Sequence, residues 1–103
     1  MTEVTDNNFE AEVLQSQVPV VVFFYMTWAG PCKVLNPIVL ELENSHQGRV
    51  KFVKLDIEAN VEVRSRYGVK SVPFLMKFEN GEQQSQTRRQ ISGKFDIIHD
   101  LSL

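Results

Sequence analysis

At 103 residues, with 43% hydrophobic and 23% charged side chains, the chain has the make-up of one soluble globular domain, 1–103, able to bury a core without staples. A net charge of −2 excludes a case for nucleic acid or an anionic membrane as partner, and the longest apolar run, Val18 to Met26, is too short to span a bilayer. The single cysteine, Cys32, excludes an intrachain disulfide, so the fold owes nothing to an oxidising compartment. Met1 to Glu12 is polar and acidic, unlike a secretory leader, and the expectation is a cytoplasmic monomer.

In chain order, Thr2 to Thr5 is a candidate short edge strand. Thr5-Asp6 offers an N-cap for a helix over Asn7 to Gln15, with Phe9, Val13 and Leu14 on roughly one face. Val20 to Tyr25 is β-branched and aromatic without alternation, which suits a central strand covered on both faces. A helix from about Pro31 to Ser45 places Val34, Leu35, Ile38, Val39 and Leu42 on an apolar stripe, and Pro37 within it should kink it. Val50 to Ile57 reads as a second long strand, and Glu58 to Arg66 as a short exposed helix ended by Tyr67-Gly68. Phe74 to Phe78 is a third such strand, entered through Val72-Pro73. Asn80-Gly81 then turns the chain into a polar antiparallel edge strand, Glu82 to Arg88. Ser92 caps a last helix with Phe95, Ile98 and Leu101 inward. Strands alternating with helices and then a hairpin imply an α/β sandwich around a mixed sheet.

The stretch Trp28-Ala29-Gly30-Pro31-Cys32-Lys33 is where chemistry belongs, between a buried strand and a helix start. Residues just past a strand's carboxyl end sit at the sheet rim, and a helix start offers unpaired N–H groups that favour a thiolate. Trp28 after a strand and before a Gly-Pro turn reads as a half-exposed contact surface. Cys32 reads either as a perturbed thiol or as a small buried apolar residue. His46 and His99 lack any Cys, His or Asp spacing that would make a metal site, and no cofactor is implied.

With those residues the chain resembles the thioredoxin family over essentially its whole length. The matches, in order, are Phe24 before Trp28 to Lys33, Pro37, Lys54-Leu55-Asp56, Tyr67-Gly68-Val69, Val72-Pro73 and Phe78-Glu79-Asn80-Gly81-Glu82. The resemblance implies a thioredoxin fold, a five-stranded mixed sheet flanked by four helices, with a cis peptide at Val72-Pro73 facing the Gly30-Pro31 loop. The residues themselves show only that Pro73 begins a strand. The resemblance also implies a disulfide oxidoreductase active in electron transport and cell redox homeostasis, with disulfide or thiol proteins and a thioredoxin reductase as partners. In that pattern the first motif cysteine attacks a target disulfide and the second resolves the mixed disulfide. Cys32 holds the resolving position, and Ala29 the nucleophile's.

Two further positions depart from the family. Phe23 stands where a buried acid usually assists the resolving thiol, and Arg89 where a groove-lining glycine is usual. Lys54 is implied to bring its ammonium near the site, and the groove to comprise Trp28, Gly30, Pro31, Val72, Pro73 and Arg89. Arg88-Arg89 would favour acidic partners or simply be solvated. Three readings stay open: a dithiol reductase whose nucleophile is replaced, a redox-inactive binding module using the groove, and a monothiol activity at Cys32.

Overall fold

The computed structural model of the protein describes residues 1–88 and 90–103. Five strands, β1 (Thr2–Glu3), β2 (Val20–Tyr25), β3 (Lys51–Asp56), β4 (Phe74–Glu79) and β5 (Glu82–Gln86), form one sheet of order β1-β3-β2-β4-β5. The β3 strand runs parallel to β1 and β2, whereas β4 runs antiparallel to β2 and β5, so the sheet is mixed. The sheet is flanked by a π-helix (Glu10–Leu14) and three α-helices: α1 (Gly30–Ser45), α2 (Val61–Arg66) and α3 (Lys94–Leu101).

The missing alternation in β2 has a direct cause. Val20, Val22 and Phe24 join one core cluster with Phe9, Val13 and Val63, while Val21 and Phe23 join another with Leu35, Val39, Ile97 and Leu101. Successive side chains point to opposite faces of a strand, and here both faces are covered by helices. The π-helix and α2 therefore lie on one side of the sheet, and α1 and α3 on the other. β5, by contrast, is polar and largely exposed, as an edge without a covering layer should be.

The first helix forms as a π-helix over Glu10–Leu14, within the expected Asn7 to Gln15; the Gln15 amide reaches the Glu10 carbonyl at 2.9 Å. Phe9 and Val13 are buried as the pattern requires. Asp6 does not cap this helix. Its carboxylate accepts the Val63 and Glu62 amides at 2.9 and 3.2 Å, capping α2 from more than fifty residues away. Asn60 completes the link, accepting the Asp6 amide and donating to the Asp56 carbonyl, both at 2.9 Å. α2 is accordingly shorter than expected, starting at Val61 where these donors are satisfied.

Within α1, Leu35, Val39 and Leu42 are buried with Cys32, and Ile38 is half-buried, but Val34 is 72% exposed. In α3 the inward residues are Ile97 and Leu101, with Ile98 half-buried; Phe95 is 75% exposed. The helix begins at Lys94 with Gly93 as N-cap, and Ser92 contributes differently: its amide and hydroxyl both donate to the Asp96 carboxylate. A spacing of four keeps Ile97 and Leu101 stacked on one face, whereas Phe95 turns away. β5 ends at Gln86 rather than Arg88: the Thr87 amide still bonds the Leu75 carbonyl at 3.0 Å in register, but the Leu75 amide donates to the Thr87 hydroxyl at 3.2 Å rather than to the Thr87 carbonyl.

The hairpin is the one expected. Asn80 and Gly81 adopt φ of 55° and 80°, the left-handed pair that a two-residue turn with matching twist demands. Gly81 is doubly required, since a Cβ there would stand 3.0 Å from the Leu14 carbonyl oxygen.

Candidate functional site

The residues after β2 build the site. Trp28 is 65% exposed and donates its indole N–H to Glu58 Oε1 at 2.7 Å, which orients the ring across the loop. Ala29 is the N-cap of α1, with extended backbone (φ −79°, ψ 116°), and its carbonyl accepts the Cys32 and Lys33 amides at 3.1 and 3.3 Å. Gly30 and Pro31 form the first turn, where Pro costs no hydrogen bond because that N–H has no helical acceptor. Pro37 lies inside α1 on its exposed side, so the Lys33 carbonyl loses its usual amide donor.

Cys32 faces inward, 4% exposed, and packs in the same cluster as Phe23 and Ala29. Burial pushes its thiol up, and the Met26 backbone hydrogen bond only partly opposes this. A helix start lowers a thiol pKa when the sulfur remains near solvent; here desolvation outweighs it. Phe23, 2% exposed, brings no carboxylate to this thiol. Ala29 itself is only 8% exposed, its methyl counted among core contacts rather than displayed.

A groove of about 1100 Å³ runs along α1, between Pro31, Val34, Leu35 and Ile38 on one wall and Val72, Pro73, Phe74 and Ile91 on the other. The Val72–Pro73 peptide is cis. Arg88 adds the one cation among the groove's described lining residues, and no carboxylate lines it. Of the groove residues expected from sequence, the structure brings Pro31, Val72 and Pro73 together there; Trp28 and Gly30 stand outside its lining, and Arg89 lies outside the described residues. Sequence reasoning missed Val34, Ile38 and Ile91 as lining. Val34 and Ile38 fall on the apolar stripe of α1, which points to the core, and Ile91 carries no local signal, since it reaches the groove only through the fold.

Lys54 lies 5.6 Å over the Tyr25 ring with its ammonium 3.9 Å from Glu3 Oε1, and it shares a cavity of about 350 Å³ with Phe23 and Cys32. The Tyr25 hydroxyl in turn donates to the Glu3 carboxylate at 2.8 and 2.9 Å. Its pKa is driven above the ordinary 10.0, first by burial and then by the Glu3 hydrogen bond and charge. Among the described residues no cluster of three His, Cys, Asp or Glu stands close enough to hold a metal ion. None of the described helices is long and apolar enough to cross a membrane.

The raised Cys32 and Tyr25 pKa values share one consequence. A group whose folded pKa exceeds its unfolded value contributes stability that is complete below the unfolded pKa and lost as pH rises through the folded one. Urea unfolding should therefore show stability declining as pH rises above 9.0 for Cys32 and 10.0 for Tyr25. Tyr25→Phe should flatten the upper part of that decline; a stability that holds or climbs above pH 10 would contradict it.

The comparisons with known proteins agree with this arrangement. The family model described as Thioredoxin matches residues 1–100. The thioredoxin of Rickettsia felis is 47% identical over 81 residues, covering 79% of this chain and 77% of that protein. Thioredoxin 1 of Nostoc sp. is 43% identical over 81 residues, 79% of this chain and 76% of its own length. The thioredoxin of Synechocystis sp. is 41% identical over an equal span. With the mixed five-stranded sheet, the Trp-x-Gly-Pro-Cys turn at the head of α1 and this shared sequence together, the chain belongs to the thioredoxin family.

Proposed function

We propose that the chain is a thioredoxin-type protein-disulfide reductase scaffold halted at its first chemical step, a Cys-to-Ala form of a dithiol enzyme. The thiol–disulfide scaffold follows from the family. The halt rests on one observation: position 29, at the N-cap of α1, is an alanine, and Cys32 is the chain's sole sulfur nucleophile. Reduction of a disulfide requires one thiolate to form a mixed disulfide and a second to displace it, giving an intrachain disulfide and a target dithiol. With alanine at position 29 the first displacement has no nucleophile, and the one remaining thiol, Cys32, cannot serve as both attacking and resolving group.

The assignment of roles follows. Position 29 is the nucleophile's seat, Cys32 the resolving thiol, and Trp28, Gly30, Pro31, Val72 and Pro73 the surface that meets a protein disulfide or thiol partner. Phe23 and Lys54 support the thiol from below, and the electron source is a thioredoxin reductase. The protein acts as a cytoplasmic monomer, a reading supported by its single cysteine and its near-neutral charge. In an insulin-reduction assay with thioredoxin reductase and NADPH, the chain is expected to show turnover no greater than the background without it. Turnover near that of an ordinary thioredoxin would overturn the proposal.

A second reading, a redox-inactive binding module, is favoured by Phe23. Its ring fills the core at 2% exposure, so it adds packing where the family's acid would assist proton transfer. Under this reading the groove holds a partner without exchanging electrons, and the positive charge of Arg88, with no carboxylate among the groove's described lining residues, favours an acidic one. A monothiol activity at Cys32 has less support, because the thiol is buried and its pKa is raised.

A further inference from the structure

The cavity beside Cys32 shares no lining residue with the groove that meets a protein partner. Its lining combines three apolar side chains, Phe23, Tyr25 and Met26, with the Cys32 thiol and four polar groups, Thr27, Lys33, Asn36 and Lys54. Two of the eight are cations and none is an acid. Among the described residues, the Lys33 ammonium, the Asn36 amide and the Thr27 hydroxyl make no hydrogen bond or ion pair within the protein. Lys54 is held in place over Tyr25 with its ammonium 3.9 Å from Glu3 Oε1, a long contact to a carboxylate that also accepts the Tyr25 hydroxyl.

A single unpaired surface lysine is ordinary. Two ammoniums and two uncommitted neutral polar groups around an apolar floor, with no carboxylate among them, form a site that favours an anion. The volume, about 350 Å³, lies at the small end of the range for ligand pockets, which are commonly apolar with a few polar groups that fix orientation. We propose that this cavity binds a small amphipathic carboxylate, with its apolar body on Phe23, Tyr25 and Met26 and its carboxylate between Lys33 and Lys54. Asn36 and Thr27 supply hydrogen bonds to the remaining carboxylate lone pairs. Binding is non-covalent and independent of whether position 29 carries a thiol.

Benzoate is the probe, titrated at constant ionic strength and followed by amide NMR of the whole chain, with benzamide as the uncharged counterpart. The expected result is saturable shifts confined to Met26, Thr27, Lys33, Asn36 and Lys54, with benzamide binding much more weakly. Lys33→Gln, an exposed change that leaves the core alone, should weaken benzoate about threefold, and its combination with Lys54→Gln about tenfold. Shifts that scatter or never saturate would overturn the proposal. So would benzamide binding as well as benzoate, or an affinity unmoved by Lys33→Gln.

Discussion

Ala29→Cys is expected to raise insulin reduction by on the order of 10³-fold or more over the unaltered chain, the scale on which an essential nucleophile acts. The scaffold needs no other change. The N-cap backbone is already extended, two amides of the first turn already point at the residue-29 carbonyl, and the new group adds one sulfur atom to a small side chain. A thiol at a helix start is stabilised as thiolate, and Cys32 lies three residues on, one turn along α1. Oxidation of the variant should remove both titratable thiols by forming one intrachain disulfide. If Ala29→Cys stays inert in the reductase-coupled assay while the groove still holds a partner, the binding-module reading prevails.

Phe23→Asp tests the ground beneath the thiol and carries the larger stability effect. The position is 2% exposed within the α1-side core, against Tyr25 at 6.0 Å between ring centroids. Removing the ring and burying an acid should cost at least about 3 kcal/mol at neutral pH. That corresponds to a fall in Tm of roughly 10–20 °C for a domain of this size. The loss should depend on pH in a fixed direction. A buried carboxyl has a folded pKa above its unfolded value, so the variant is best tolerated below about pH 4 and weakens as pH rises through the raised pKa. A Tm deficit that is constant between acid and neutral pH would show that lost packing alone, and not a buried charge, sets the cost. Combined with Ala29→Cys, the acid should quicken release of the mixed disulfide at the expense of stability, a trade this chain has resolved in favour of the core.

How much of this could be read from sequence varies with what each residue must satisfy. β2, its burial on both faces and the Asn80-Gly81 hairpin were legible because they rest on local chemistry: an apolar run without alternation, and a turn that needs two left-handed residues. The head of α1 was legible for the same reason, since a proline just past a strand and ahead of an apolar helical stripe suits the first turn of a helix. Val34 and Phe95 were not. Each belongs to a helix whose apolar residues exceed its buried face, and only the neighbouring layer decides which of them turn outward. Val34 is exposed because α1 borders the groove there, and Phe95 because Ile97 and Leu101 already fill the α3 contact. Asp6 shows a third kind of miss. The residue is a capping residue, as its type suggested, but the helix it caps is distant in sequence. In the site, the roles of positions 29 and 32 come from the resemblance to the family, whereas the depth of the thiol and the groove's outer wall of Ile91 depend on tertiary placement.

The Asp6 cap also ties two stretches of chain into one cooperative unit. α2 has six residues, too few to persist alone, and the side chain of its own N-cap residue, Asn60, caps none of its amides. Its first amides are held instead by a carboxylate that arrives only when the segment before the π-helix has docked. Opening that segment would therefore release α2 as well, although more than fifty residues and two strands of the sheet lie between them in sequence. The segment before the π-helix and α2 are therefore expected to open together in native-state hydrogen exchange, apart from the α1 and α3 layer on the other face of the sheet.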